Sequence, residues 1–299
     1  MEKLRLRQTD PRIRIVHAEH SKSKAENLNA AIEHITLSTT LILDADHVIE
    51  DCVIRDMHRH LMSQPDQTVC VQGTVLIRGN SCFEVVLSAF SWYFFTIMLP
   101  ALESISGTAM FMGAMGIWRS DILRRYRFDK TILSEDDDIT MRCVRDGHNI
   151  TAFPSAQATE LAPVGAMALF RQRLRWAIGY EQSLNRHVCP LARSRPRVLF
   201  QRMYGWFCYT LVIAGILQGT FTVTRMRVPE PAVLAFQLIF LGGAFATIVL
   251  SVFYALARQN WRQSKIIIPM IPFVTLYAFF QTFVALYARV RMLNLTSGT

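Results

Sequence analysis

The sequence predicts an α/β domain with a mostly parallel sheet, followed by an α-helical membrane region, and three observations carry that reading. Strand-like and helix-like stretches alternate through the first half of the chain. The continuous apolar run Thr39-Thr40-Leu41-Ile42-Leu43 ends in Asp44-Ala45-Asp46, the pattern of a strand buried on both faces of a parallel sheet, with acids at its carboxyl end. After Arg202 the alternation gives way to long apolar stretches.

In chain order, Arg12 to His17 alternates and is rich in β-branched residues, which predicts a strand. A polar loop over Ser21 to Lys24 leads into a helix over Ala25 to His34, with Leu28, Ala31 and Ile32 on one side. The run 39–43 then completes a βαβ unit. Asp51 to Met62 is expected as a helix, and Thr68 to Ile77 as a strand. Val85 to Ile105 is apolar and aromatic and long enough to cross a bilayer. However, Glu84, Glu103 and Pro100 bound or interrupt it, and a crossing would put Asp46 and the later acidic cluster on opposite sides. An interfacial or core helix is expected there instead.

Gly107 to Gly116 is a stretch of small residues and methionines that leads into the strand-like Ile117-Trp118. Its glycines suit either close approach to a ligand or tight packing. Ser134 followed by Glu135, Asp136 and Asp137 reads as an N-cap with acids in the first turn of a helix over Ile139 to Val144, which Gly147 ends. His148 to Phe153 is expected as a strand, and Pro163 to Gly165 leads into a helix bearing Gln172-Arg173-Leu174-Arg175-Trp176. Three apolar spans follow, Met203 to Val223, Ala232 to Ala257 and Ile266 to Ala288, each long enough for a hydrocarbon core of ~30 Å.

Composition agrees. The apolar fraction is 51%, high for a soluble protein. The formal net charge is +9, and much of the basic excess (Arg186, Arg193, Arg195, Arg197, Arg202) sits beside the apolar half. That placement favours a cytosolic membrane face and speaks against nucleic acid as a partner. The six cysteines show no CxxC pairing, which fits reduced, packed thiols, and His17 and His20 are an incidental pair at a strand end. Met1 to Asp10 is charged and lacks the apolar core of a signal peptide. The Asn294-Leu295-Thr296 sequon lies beside the last span and is expected to be silent.

Taken singly, each polar motif has an ordinary explanation. Asp44 and Asp46 can open a turn, the acids after Ser134 can cap a helix, and Lys24 with Asn27 can form a plain loop-to-helix junction. Arg171, Arg173 and Arg175 can face solvent or headgroups, with Trp176 as an interface anchor. Their order changes that weighting. KAENLNAA, LILDADH, SEDDD and QRLRW, followed by membrane spans, resemble the membrane-bound family 2 glycosyltransferases, the group of cellulose, chitin, hyaluronan and poly-N-acetylglucosamine synthases and the Nod-factor chitooligosaccharide synthase. The resemblance runs from Arg12 onward.

The resemblance implies a cytosolic GT-A-like, Rossmann-like domain over residues 1–185, a basic interfacial segment over 186–202, and a region of three transmembrane helices over 203–299. It implies an integral protein of the plasma membrane that moves a sugar from a UDP-sugar, UDP-GlcNAc or UDP-glucose, onto a growing β-linked polysaccharide. The alternatives are single transfer to a lipid, or a truncated, non-catalytic membrane partner of a synthase.

Asp136, in the position of the family's TED base although Ser134 replaces its threonine, would take the proton from the acceptor hydroxyl. Asp46 and Asp44 would hold Mg²⁺ or Mn²⁺, hard cations suited to carboxylate oxygens. Lys24, Arg173 and Arg175 join these acids in binding nucleotide and diphosphate, with Arg175 the better diphosphate contact by motif position. Gln172, Trp176 and Glu135 would border the acceptor, the indole stacking on a sugar face. Relatives carry a further acidic strand and membrane spans before the first βαβ unit, so the domain is expected to be N-terminally incomplete, with an exposed sheet edge.

Overall fold

The computed structural model describes residues 12–18, 20–79, 81–203, 280–281 and 283–292. The three predicted spans therefore lie outside the described residues, apart from Met203 and the helical residues 280–281 and 283–288.

Strands β1 (Thr39–Ile42), β2 (Val48–Ile49), β3 (Thr68–Arg78), β4 (Gly116–Arg119) and β5 (Asn149–Leu161) form one sheet in the order β1-β4-β3-β5-β2. The fold is α/β, but the sheet is mixed. Only β3 and β5 pair in parallel, whereas β1 with β4, β4 with β3 and β2 with β5 are antiparallel. The expectation of a mostly parallel sheet fails because β4 runs backwards between β1 and β3. These two still point the same way, but they do not hydrogen-bond to each other.

Two further expectations are corrected. Residues 12–18 form no strand, because alternation supplies propensity but a strand also needs a ladder, and none of the described strands pairs with this stretch. The fully buried strand is β3 and not the run 39–43. β1 pairs only with β4 among the described residues and buries only Ile42.

Helices cover both faces. On one side α1 (Lys24–Ile32), α4 (Leu99–Ser106), α5 (Ser120–Tyr126) and α6 (Glu135–Arg145) share a core that includes Ala25, Ile32, Leu99, Leu123, Ile139 and Trp118. On the other, α2 (Val53–Ser63) packs Val53, Met57 and Leu61 on Val71, Val75 and Ile117. Neighbours Ile117 and Trp118 fall in opposite cores, as the two-residue period of a strand requires. Helix α7 (Gly165–Ser194) lies against α6, and helical turns follow over 196–203.

Strand β5 continues well beyond Phe153. Gln72 pairs with Ala152 while Thr74 already pairs with Gln157, so residues 153–156 bulge out. That irregularity accommodates Pro154, whose carbonyl accepts from Thr74 Oγ1 at 3.1 Å. By extending through the bulge, β5 carries Glu160 to the end of the sheet where the acids lie.

The apolar stretch after Ser81 is one long helix built from α3 (Cys82–Tyr93), a π-helical turn (Phe94–Met98) and α4, which absorbs Pro100 in its first turn. It starts with a reciprocal cap, Ser81 Oγ accepting from the Glu84 N–H while the Glu84 carboxylate accepts from the Ser81 N–H. Phe83–Ser106 is long and apolar enough to cross a membrane, and only 22% of its apolar stretch is buried, too little for a core helix. Among the described cysteines, Cys70 and Cys143 are buried free thiols as expected, whereas Cys52 and Cys189 are exposed.

Candidate active site

Chain order scatters the charged motifs, and the sheet gathers them at one end. Lys24 opens α1, where the Ser23 side chain caps the helix by accepting from the Glu26 N–H at 3.2 Å. From there its Nζ meets Asp44 Oδ1 at 2.5 Å and donates to the Gly113 carbonyl at 2.9 Å. Both side chains of this ion pair are about one third exposed, so the pair contributes only ~0–1 kcal/mol. A metal ion or a diphosphate can replace it at little cost.

Asp46 follows two residues after Asp44, its carboxylate 45% exposed and its carbonyl held by Arg78 Nη2 at 2.8 Å. His47, with only 1% of its side chain exposed, lies between Asp46 (3.6 Å) and Glu160 (3.7 Å), and neither ring nitrogen has a hydrogen-bond partner. Burial pushes the Glu160 carboxyl up to about 7. Asp46 and Asp44 push the same way, while Arg173 and Lys24 oppose them. Glu160, Asp46, Asp44, Lys24 and Arg173 therefore share one electrostatic site, with a pair of accessible carboxylates at its mouth. Sequence reasoning missed Glu160 and His47; a lone acid in the uncharged strand segment Gln157-Ala158-Thr159 was the available signal.

The same lysine reaches the loop that abuts Asp136. Gly113 has φ +84°, and a Cβ there would lie 2.9 Å from Asp136 Oδ2, so only glycine lets this loop and the carboxylate meet. The loop is clamped by buried Gln72, which donates to the carbonyls of Gly73 (2.8 Å) and Ala114 (3.0 Å) and accepts from the Met112 N–H (2.9 Å). The Asp136 carboxyl is raised to about 7, chiefly by burial and then by the adjacent charges of Glu135 and Asp137. The Asp137 N–H (2.9 Å) and Lys24 pull it back. Ser134 does occupy the N-cap position of α6, but its side chain makes no cap bond. Instead it packs on α7, where a Cβ on Gly179 would fall 2.2 Å from Ser134 Oγ and 2.6 Å from its backbone nitrogen.

That close approach sets α7 beside α6. Arg173 is buried, its guanidinium 4.1 Å from the centre of the Trp176 ring, while Trp176 itself is 42% exposed. Arg175 is exposed, Gln172 is half-buried, and Glu135 is buried at the start of α6. The structure thus brings Lys24, Asp44, Asp46 and Arg173 into one field and joins Asp136 to them through Gly113. Arg175 faces solvent. Among the described residues no three His, Cys, Asp or Glu side chains form a metal ligand set. Asp44 and Asp46 supply carboxylate oxygens of the kind a hard cation takes, as a partial set that would need further oxygen ligands.

Comparison with known proteins identifies the family. Residues 5–179 match the model of the glycosyltransferase-like family 2, and the chain belongs to that family. Its curated relatives include a probable glycosyltransferase, YdaM, of Bacillus subtilis, 25% identical over 66% of this chain and 48% of the relative. Another is a poly-beta-1,6-N-acetyl-D-glucosamine synthase of Staphylococcus epidermidis, 23% identical over 64% of this chain and 47% of the relative. The chain spans about half the length of these relatives. In fold it is similar to the mannosyltransferase PcManGT from Pyrobaculum calidifontis, solved with GDP-Man and Mn²⁺. The TM-score is 0.51 at 17% identity, covering 94% of this chain and 69% of that one.

Proposed function

We propose that this chain is an inverting, metal-dependent glycosyltransferase that moves a sugar from a UDP-sugar, UDP-GlcNAc or UDP-glucose, onto a growing β-linked polysaccharide at a membrane. One observation carries the reading: Lys24 ties the Asp44–Asp46 pair to the Gly113 loop, and that loop abuts a partly buried Asp136 with a raised pKa. Family membership and the printed name of the Staphylococcus relative support the chemistry and the acceptor class.

Each residue then has a task. Asp46 and Asp44 hold Mg²⁺ or Mn²⁺, which neutralises the departing diphosphate when bound. With a cation on Asp44 and Asp46, Lys24 would be free to face the nucleotide and Arg173 would contact the diphosphate, with solvent-facing Arg175 able to join it only from outside the buried site. Asp136 accepts the proton of the acceptor hydroxyl as its oxygen attacks the anomeric carbon. Glu135 and Gln172 border the acceptor, and Trp176 offers its exposed face to a sugar ring.

The bilayer reading rests on exposed apolar surface. The helix Phe83–Ser106 buries little of its apolar length, and Phe283, Leu286, Tyr287 and Val290 stand exposed on a second helix. An interfacial position for the first, with the catalytic domain on the cytosolic side of the plasma membrane, accounts for both. A second reading, transfer of one sugar to a lipid, draws on exposed Leu161, Val164 and Met167 at the approach to α7.

The test is UDP release by the membrane-reconstituted chain with each donor and Mn²⁺, followed by product sizing. Polymer formation that stops in Asp136→Asn and Asp46→Ala is expected. Release that continues unchanged in both variants refutes the transferase site, and a single sugar on lipid selects the second reading.

A further inference from the structure

Besides Asp136, the first turn of α6 carries two buried carboxylates that the proposed chemistry does not use. Asp138, with no exposed side-chain surface, meets His187 Nε2 at 2.8 Å and Arg142 Nε at 2.7 Å, which fastens α6 to α7 inside the domain. Asp137 is paired differently. Its Oδ2 receives Arg202 Nη2, and both side chains are almost fully buried.

Arg202 reaches the base from two directions. Besides Asp137, next in sequence to Asp136, its Nη1 donates to Met110 Sδ at 3.5 Å, at the base of the loop that carries Gly113. Phe111 of the same loop donates its N–H to Thr140 Oγ1 of α6 at 3.2 Å, so loop and helix form one unit around Asp136. Arg202 is itself held by α7. Its guanidinium lies 4.0 Å from the centre of the Tyr180 ring, and the Tyr180 hydroxyl donates to its carbonyl at 2.6 Å. In sequence, Arg202 immediately precedes the first long apolar stretch.

A buried ion pair is a poor way to add stability compared with apolar packing, but it fixes one arrangement among several. We propose that Arg202 is a positioning residue: through Asp137 and Met110 it fixes Asp136 against the Gly113 loop, so the geometry of the base depends on how the helical turns over 196–203 seat on α7. The inference rests on the transferase reading above. It adds a route by which the seating of residues 196–203 sets the proton-transfer step, with no contact to the donor.

The test compares turnover with donor binding in the full chain reconstituted in nanodiscs. UDP release gives kcat, and titration with UDP and Mn²⁺ gives the dissociation constant. Arg202→Met is expected to lower kcat about 10- to 100-fold, the scale of a displaced catalytic group, with UDP affinity unchanged. Arg202→Lys, which keeps the charge beside Asp137, recovers part of the loss. Should Arg202→Met fail to fold, Tyr180→Phe removes only the hydroxyl bond to the Arg202 carbonyl, and it is expected to lower kcat severalfold, again without changing UDP affinity.

Unchanged kcat in the folded variants overturns the inference. So does a parallel loss of kcat and UDP affinity, which marks Arg202 as general packing. A wild-type chain that releases no UDP from any donor overturns it too, through the transferase reading itself, and is distinguished by the absence of wild-type turnover.

Discussion

Removing the charge of Asp136 is expected to trade activity for stability, and the size of each effect follows from where the carboxyl sits. Its pKa is raised from the ordinary 3.8 to about 7, chiefly by burial. A base must be ionised to act. About one tenth of Asp136 is ionised at pH 6 and about nine tenths at pH 8, so kcat/KM should fall about tenfold per unit below pH 7.

Stability runs the other way. Between pH ~4 and ~7 the folded chain keeps a proton that the unfolded chain has lost, so ionisation costs stability as pH rises through that window. Below it both states are protonated and the cost vanishes, whereas above it the cost is complete. A shift from 3.8 to about 7 corresponds to at most roughly 4 kcal/mol. Asp136→Asn escapes this cost. It should lower turnover by ~10²–10⁴ and yet melt higher than wild type at pH 8, with the gap closing near pH 4. Rate–pH profiles and thermal melts of both proteins over pH 4 to 9 measure this. An acid limb centred near pH 4, or an Asn variant that melts lower at pH 8, would refute the assignment.

Other substitutions probe separate parts of the site. Asp46→Ala should weaken Mn²⁺-dependent UDP binding by more than ~10-fold, since even outer partners of a metal contribute that much; calorimetric titration reads it. Gly113→Ala forces a left-handed backbone and a Cβ against Asp136 Oδ2, so it should cost ~1–3 kcal/mol by thermal or denaturant unfolding and depress kcat. Trp176→Ala removes both an exposed sugar platform and the ring beneath Arg173. It should raise acceptor KM about 3- to 10-fold with UDP affinity little changed, as steady-state kinetics with a short oligosaccharide acceptor would show.

Much of the frame was legible because it is local. The apolar side with Leu28, Ala31 and Ile32 announced α1, Ser134 and the acids after it announced α6, and the β-rich stretch Thr68 to Ile77 announced β3. What escaped depends on partners distant in sequence. Nothing near Gly116 says that β4 will insert between β1 and β3, and Pro154 argued for ending β5 where a bulge in fact lets the strand continue. Arg12 to His17 shows the opposite error, since its alternating pattern has no ladder to join.

The site divides in the same way. Lys24, the two acids just after β1 and Asp136 stand in compact motifs, whereas Gln72, His47 and Glu160 are single polar residues whose placement only the assembled sheet reveals. Arg173 and Arg175 were separable only in three dimensions, one buried over Trp176 and the other in solvent.

The central claim is inverting transfer at a site where Asp136 is the base and Asp44 and Asp46 bind the metal. Its most direct measurement is proton NMR of the anomeric signal of product made from an α-linked UDP-sugar, with and without Mn²⁺. A β-anomeric product that forms only when the divalent ion is present is predicted. An α-linked product, or equal turnover in excess chelator, would contradict the account.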